Sequence, residues 1–206
     1  MRPLPRVHAF TDPEVLLQAD LGIRAAAIAA GGPAVALHAR VQGAGGAQLA
    51  RIAQRLLTLA RPPEAAVFVS ARSDIAAAVG AHGVQLARED LAPSDARHVM
   101  HGWIGCSVHS LKEAAAAVRE GADFLVLGNI YETETHPGRP AAGLDLIREV
   151  ATLGAPVIAI GGITPARSIE VKAAGAYGVA AIRALWRAAD PAAATLELLE
   201  PWSADP

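Results

Sequence analysis

The sequence has little of several features that would each define a class of protein. It contains one cysteine, Cys106, so an internal disulfide is excluded. The formal net charge is −2 and no tract of one sign occurs, which argues against a nucleic-acid-binding surface and against disorder. No apolar run approaches the roughly eighteen residues of a membrane span. The start, MRPLPRVHAF, lacks the apolar core of a signal peptide. These absences predict a cytoplasmic protein that binds neither nucleic acid nor membrane.

Short apolar runs, followed by glycine or polar residues, dominate what is present. Val7–Phe10, Phe124–Leu127 and Val157–Ile160 show no polar alternation, which is typical of strands buried on both faces of a parallel sheet. Helix-like segments lie between such runs, for example Pro13–Ala30, which Asp12 should cap. Eight strand–helix units follow one another within the 206 residues without a linker, which indicates one domain.

Eight repeats of this kind predict a fold of the α/β class, a single-domain (β/α)8 TIM barrel, over residues 1–200. A doubly wound open sheet is the alternative, because alternation of strands and helices does not by itself close a barrel. Residues 201–206 form a C-terminal tail, which we expect to be loose from Pro201 onward. A barrel of this kind has its active site at the C-terminal ends of its strands.

The loops after the last three predicted strands carry the most promising chemistry. The loop Asn129–His136 follows the sixth strand and is the richest in polar side chains. Gly161 and Gly162 follow the seventh strand, and Thr164 then caps a helix. Because glycines allow close backbone approach and helix N-termini attract anions, this turn predicts a phosphate site, with Arg183 nearby after the eighth strand. A tight turn without a ligand is the simpler interpretation of the two glycines.

Segments along nearly the whole chain, in order, resemble the thiamine phosphate synthase family. The matching segments are VHAFTD at 7–12, LHARVQ at 37–42, VSARSDIA at 69–76, GVQLARED at 83–90, IGCSVHS at 104–110, GNIYETETH at 128–136, AIGGI at 159–163 and the strand at 178–182. The resemblance implies a TIM barrel of thiamine biosynthesis that binds a small phosphorylated thiazole or pyrimidine. Barrels of this kind commonly pair, which leaves a homo-oligomer open.

The departures from the synthase pattern concern the diphosphate site. In the synthase, an Asn-Asp pair helps to hold a pyrimidine diphosphate and its Mg²⁺, whereas this chain has Ser70-Ala71. Asp90, which matches the other metal carboxylate, is retained, and His136 replaces the lysine that ends the Thr-x-Thr-Lys loop. Departure of a diphosphate needs metal and cations. The resemblance therefore implies Mg²⁺ at Asp90 if the chain is a synthase, and otherwise no metal or cofactor.

A second branch of the family, the thiazole tautomerase, resembles the chain more closely. Its members aromatise a thiazole carboxylate phosphate by moving a proton, which requires a base and no metal. The segments SVHS at 107–110 and GGITP at 161–165 suit that branch. The histidine thought to be its base corresponds here to Asn129, which cannot accept a proton at neutral pH. We therefore predict tautomerase-type proton transfer in which His136 or His38 replaces the missing base and Asn129 faces the ring.

The predicted site comprises three groups of residues. His136, His38 and Asn129 form the catalytic group, and Gly161, Gly162 and Arg183 bind the phosphate. Substrate contacts are expected from Arg40, Ser107, Thr133 and Thr135. Two functions remain open beside the tautomerase: a Mg²⁺-dependent synthase that joins hydroxymethylpyrimidine diphosphate to thiazole phosphate, and a barrel that binds a phosphorylated metabolite without turnover. His109 is assigned a structural role at the start of a helix.

Overall fold

Eight parallel strands form a closed barrel, so the predicted TIM barrel is confirmed. The structure is a computed structural model that describes residues 3–61, 64–133 and 140–204. Each strand pairs with its sequence neighbours, and the first also pairs with the last. The strands are β1 (Val7–Phe10), β2 (Val35–Ala39), β3 (Ala66–Ser70), β4 (Gly83–Leu86), β5 (Trp103–Val108), β6 (Phe124–Leu127), β7 (Val157–Ile160) and β8 (Gly178–Ala181).

Helices alternate with the strands and pack against the outside of the barrel. In the described parts of the chain they are α1 (Pro13–Leu16), α2 (Leu21–Ala29), α3 (Gly46–Leu59), α4 (Ser73–Val79), α5 (Pro93–Ala96), α6 (Leu111–Arg119), α7 (Gly143–Ala151), α8 (Pro165–Ala173), α9 (Arg183–Trp186) and α10 (Pro191–Leu199). The prediction of one helix over 13–30 is wrong. The chain turns between α1 and α2, where the Gln18 amide donates to Val15 three residues back and not to the residue four back.

Local capping signals account for several helix starts. The Asp12 carboxylate accepts a hydrogen bond from the Val15 amide at 2.7 Å, which confirms the predicted cap of α1. Ser110 and Thr164 cap α6 and α8 in the same way, with side-chain oxygens 3.2 and 3.3 Å from the amides three residues on. Each such bond satisfies an amide that has no partner within its helix. The helices after β5 and β7 therefore begin at defined points beside the barrel mouth.

The barrel interior is filled by aromatic rings and small side chains. Phe68 and Phe124 meet edge to face with ring centroids 5.6 Å apart, and Phe10 stacks on His38. Small residues pack with these rings in the same cluster, namely Ala36, Ala66 and Ala180. A second, larger apolar cluster lies between the strands and the surrounding helices. The strands are thus buried on both faces, as their continuous apolar runs predict.

His38 lies inside the barrel, so the expectation that it faces the mouth or its rim is wrong. The reason is that β2 continues to Ala39, which places His38 within the strand ladder between Phe10 of β1 and Phe68 of β3. Its side chain is completely buried, and its Nε2 lies 2.8 Å from Nδ1 of His8. His38 is therefore a packing residue of the interior and is unavailable as a base for a ligand in the mouth.

The C-terminal segment is docked at Trp202, contrary to the expected loose tail. Trp202 is buried within a 3₁₀ turn over Glu200–Trp202, and the Lys172 ammonium donates to the Pro201 carbonyl at 2.6 Å. Burial of an indole contributes enough apolar area to hold so short a segment. Cys106 is buried in β5, and that burial raises the pKa of its thiol to about 12. Among the described residues, no helix has the length and apolar character needed to cross a membrane.

Candidate active site

A cavity of about 1290 Å³ opens at the C-terminal ends of the strands, where a TIM barrel carries its active site. Its described lining draws on the ends of several strands and the loops that follow them. The polar lining residues, together with the two glycines, are Arg40, Ser107, His109, Asn129, Glu132, Thr133, Gly161, Gly162, Thr164, Arg167 and Arg183. Seven of the ten predicted site residues are among them. The cavity therefore brings together side chains that lie far apart in the sequence.

The loops after β6 and β7 are packed directly against one another. The Ile130 amide donates to the Ile160 carbonyl at 2.9 Å, and the Tyr131 amide donates to the Gly161 carbonyl at 3.1 Å. Gly161 has φ +99°, and a Cβ atom there would lie 2.5 Å from the Cβ of Asn129. A side chain on Gly162 would meet Tyr131 and Glu132 in the same way. Both positions thus require glycine for packing as well as for conformation.

Arg167 and the start of α8 lie beside this glycine turn, and Arg183 lines the same cavity. Arg167, in the first turn of α8, donates to the Gly162 carbonyl at 2.7 Å and lies over the Tyr131 ring. Arg183 follows β8, is half-buried and lines the same cavity. Sequence reasoning missed Arg167, although its position three residues after the Thr164 cap was a usable signal. The turn, the N-terminus of α8 and the two guanidinium groups make this corner suitable for an anion.

Two of the predicted substrate contacts, Arg40 and Ser107, lie at the ends of other strands of the same cavity. The backbone of Arg40 is fixed by Thr11, whose hydroxyl accepts from the Arg40 amide and donates to its carbonyl, both at 2.9 Å. Burial lowers the pKa of the Arg40 guanidinium, and nearby Asp12 opposes that shift. The Ser107 hydroxyl accepts a hydrogen bond from the amide of buried Gln85 at 3.1 Å. These contacts hold Arg40 and Ser107 in defined places on the wall.

Asn129 and His109 lie side by side at the ends of β6 and β5. The side-chain amide of Asn129 donates a hydrogen bond to the Tyr131 carbonyl at 3.2 Å. The Nδ1 atom of His109 is hydrogen-bonded to the Gly128 carbonyl. His109 therefore lines the cavity, a position that its structural assignment from the sequence did not anticipate. The missed signal is that His109 directly follows the last residue of β5, where barrel enzymes carry site residues.

Two predicted residues lie outside the described part of the chain, and a third lies elsewhere in the fold. His136 and Thr135 fall in 134–139, which the structure does not describe, so their roles stay predictions. Their neighbour Thr133 lines the cavity. His38 is not part of the described lining, because it lies within the barrel with the ring of Phe10 stacked on it at 3.9 Å.

The described residues do not by themselves fit a Mg²⁺ site. Asp90 is not in the lining, and its carboxylate accepts from the Ala87 amide at 2.7 Å, which closes its own turn. Ala71 supplies no oxygen ligand from its side chain. No cluster of three or more metal-binding side chains occurs among residues 3–61, 64–133 and 140–204. Because Mg²⁺ prefers carboxylate and phosphate oxygens, most ligands of such an ion would have to come from a substrate.

Comparisons with known proteins agree with this fold and site. A family model described as thiamine monophosphate synthase matches residues 7–185. The thiamine-phosphate synthase of Thermus thermophilus is 42% identical over 151 residues, which cover 72% of this chain and 73% of the relative. That of Chlorobium phaeobacteroides is 36% identical over 200 residues, which cover 95% of each protein. The structure of thiamine phosphate pyrophosphorylase from Pyrococcus furiosus superimposes with a TM-score of 0.81 at 33% identity, over 95% of this chain and 94% of that one.

A TIM barrel with a glycine turn and a helix N-terminus at its mouth is typical of a broad class of barrel enzymes that bind phosphate groups at this place. Within that class, the chain belongs to the thiamine monophosphate synthase family, because the family match extends over most of its length. The family implied by the sequence segments is thereby confirmed, and with it a place in thiamine biosynthesis. The matched relatives are synthases, so the comparisons favour the synthase alternative over the tautomerase prediction.

Proposed function

We propose that the protein is a thiamine phosphate synthase, a transferase that joins hydroxymethylpyrimidine diphosphate to thiazole phosphate. One observation carries the proposal: three arginines, Arg40, Arg167 and Arg183, line a single cavity together with the glycine turn. A diphosphate and a phosphate monoester bring several negative charges, which such a cavity can balance. The names of the matched relatives support the same reaction.

In this reaction the diphosphate leaves with its bonding electron pair, and the thiazole takes its place on the pyrimidine carbon. We assign the phosphate of the thiazole to Gly161, Gly162 and Arg183, beside the start of α8. Arg40, whose backbone is fixed by Thr11 and which lines the same cavity, suits the departing diphosphate. Ser107, Asn129 and Thr133 supply the neutral polar contacts that orient the two rings. The arginines are useful because the charge on the diphosphate grows as it leaves.

The family resemblance implies Mg²⁺ for this reaction, and the metal would supply further charge compensation for the diphosphate. Asp90 is retained from the pair of carboxylates but lies outside the described lining, so the ligands would be mainly substrate oxygens and water. We therefore expect a high Mg²⁺ requirement, and we assign no catalytic step to a protein-bound metal. His136, if it binds the diphosphate in place of the usual lysine, would add a cation only when protonated.

Tautomerase-type aromatisation of thiazole carboxylate phosphate is the second candidate. It is favoured by Ala71, which removes a metal carboxylate, and by His109 beside Asn129, which gives the cavity a titratable imidazole. Proton transfer needs a phosphate anchor and a base but no diphosphate site. The same phosphate corner at Gly161 and Gly162 serves both reactions. The two candidate functions therefore differ in whether the rest of the cavity binds a diphosphate or supplies a base.

The deciding experiment gives the full-length protein each substrate set in parallel. In the first arm, both synthase substrates are incubated with a series of Mg²⁺ concentrations, and thiamine phosphate is measured by chromatography, with a chelator as control. In the second arm, proton NMR follows thiazole carboxylate phosphate alone. Metal-dependent product formation supports the synthase, and metal-independent aromatisation supports the tautomerase. Binding of thiazole phosphate without turnover in either arm would contradict both and identify a non-catalytic binder.

A further inference from the structure

His109 differs chemically from the other charged or titratable side chains of the described lining. The described lining includes five charged or titratable residues, namely Arg40, His109, Glu132, Arg167 and Arg183. An imidazole ordinarily titrates near neutral pH, whereas guanidinium groups stay charged and carboxylates are much weaker bases. His109 is therefore the group in the described lining that is best suited to accept a proton and return it under physiological conditions.

The hydrogen bond of His109 determines which ring nitrogen is available. Its Nδ1 is paired with the carbonyl oxygen of Gly128, which can only accept a hydrogen bond. Nδ1 therefore carries the hydrogen, and in the neutral ring Nε2 keeps its lone pair. The same carbonyl stabilises the imidazolium, because Nδ1–H remains a donor after Nε2 is protonated. Such an arrangement orients an imidazole and supports its use as a base.

The backbone at His109 is held in place from the other side. Its amide donates to the Glu113 carboxylate at 2.8 Å, and Ser110 caps the same helix, α6. The neighbouring Asn129 begins the loop that contacts the phosphate corner at Gly161. The imidazole is thus fixed relative to the place where the phosphate would bind. Glu132, the only carboxylate in the described lining, is exposed like His109, but no hydrogen bond comparable to that between His109 and Gly128 holds its side chain within the described part of the chain.

We propose that His109 is the catalytic base of this cavity, and that it takes over the role for which Asn129 is unsuited. This role rests on the second candidate function, tautomerase-type proton transfer. In the first step the acidic C–H bond breaks, its proton binds to Nε2, and its electron pair enters the forming aromatic ring. The imidazolium then returns a proton at the other end of the conjugated system. The substrate loses one proton and gains one, and His109 ends neutral.

The test compares two substitutions at this position with a matched control. The amide of His109→Gln can still donate to the Gly128 carbonyl, so this variant removes the base but keeps the hydrogen bond. His109→Ala removes both. His101→Gln, at an exposed histidine outside the described lining, is the control. Aromatisation of thiazole carboxylate phosphate is followed by proton NMR from pH 5 to 9, with Glu132→Gln measured beside it.

The expected loss is about 10²- to 10⁴-fold in kcat for both His109 variants, as is typical of general base catalysis, with a small change in KM. The acid limb of the wild-type pH profile should disappear in the residual activity. The charged groups near His109 are Arg88 and Glu113, together with Glu132, which lines the same cavity. A structural role would instead make His109→Gln resemble wild type.

The outcomes separate the role of His109 from the function on which it rests. A wild-type protein that is folded but does not aromatise the substrate overturns both. An active wild type whose His109→Gln variant keeps its rate and its acid limb overturns only the role of His109. A large loss confined to Glu132→Gln would do the same and would assign the base to that carboxylate. Loss in both His109 variants, with the His101→Gln control intact, supports the proposal.

Discussion

The Nδ1 atom of His8 lies 2.8 Å from Nε2 of His38, in the centre of the closed barrel, and both side chains are fully buried. The other nitrogen of His8 is 3.0 Å from the Pro5 carbonyl, which can only accept. His8 therefore carries its hydrogen on Nε2 and accepts from His38 through Nδ1. His8 is neutral in this arrangement because its Nδ1 accepts a hydrogen bond, and a second hydrogen on His38 would have no acceptor, since its Nδ1 lacks a partner among the described residues.

The histidine pair predicts an acid-sensitive fold. Burial lowers the pKa of His8 from 6.5 to about 4, and burial together with His8 lowers the pKa of His38 well below 6.5. The unfolded chain therefore binds more protons than the folded protein below pH 6.5, so stability falls as the pH decreases from 6.5 toward 4. For His8 alone the loss is about 3 kcal/mol over that window.

Urea unfolding at pH 7.5 and at several values down to pH 4.5 measures this loss. The slope of the unfolding free energy against pH should be smaller by about one proton in His38→Leu, because one titrating group is removed. His98→Gln, at an exposed histidine, should keep the wild-type slope. Equal slopes in all three proteins would contradict the assignment of acid sensitivity to the pair.

The contact between the loops after β6 and β7 predicts that Gly161→Ala lowers stability more than the positive φ of this residue alone would cause. Gly154 also has a positive φ, +81°, but a Cβ there would have open space, whereas at Gly161 it would meet Asn129 at 2.5 Å. Gly154→Ala should therefore cost about 1 kcal/mol of stability, and Gly161→Ala about 1–3 kcal/mol more. Chemical denaturation of both variants measures the difference. Equal losses of stability would show that the methyl group added at position 161 does not clash with Asn129.

Arg183 is expected to affect substrate binding more than stability. Arg183→Ala should raise KM for the phosphorylated thiazole by about 10- to 100-fold, since a charge-assisted hydrogen bond contributes about 1.5–3 kcal/mol. Arg187→Ala is the control, because Arg187 is exposed and paired with Glu14 outside the described lining. Steady-state kinetics with the phosphorylated thiazole provides the measurement. The Kd for inorganic phosphate is measured for both variants as well. If the two values are the same, Arg183 does not bind the phosphate.

A carboxylate introduced at position 71 is expected to lower the Mg²⁺ requirement of the synthase reaction. Its φ is +70°, a left-handed conformation that aspartate and asparagine tolerate better than alanine does. Ala71→Asp restores the carboxylate that the family carries there, so it should lower the Mg²⁺ concentration needed for half-maximal synthase activity. Ala71→Asn provides the same conformational relief without the charge and should leave the Mg²⁺ requirement unchanged. Activity titrations with Mg²⁺ decide the matter, and identical curves for the two variants would exclude a metal role for this position.

Local sequence determined the fold and much of the candidate site. Continuous apolar runs such as Phe124–Leu127 are compatible with strands buried on both faces, and Asp12, Ser110 and Thr164 cap the helices that follow. These signals act over a few residues, so they can be interpreted without a structure. Because parallel strands of a barrel all end at the same face, the order of the elements also places Gly161 at the mouth.

Only the tertiary structure decided which of two histidines, His38 or His109, lines the cavity. His38 and His109 both stand close to the end of a predicted strand, and the sequence predicted His136 or His38 as the base and a structural role for His109. In the barrel, β2 runs one residue past His38, whose side chain then packs between rings of neighbouring strands. His109 is the first residue after β5, and the carbonyl of Gly128 orients its ring at the cavity. Strand register and contacts between distant loops make this difference, and neither is encoded in a local pattern.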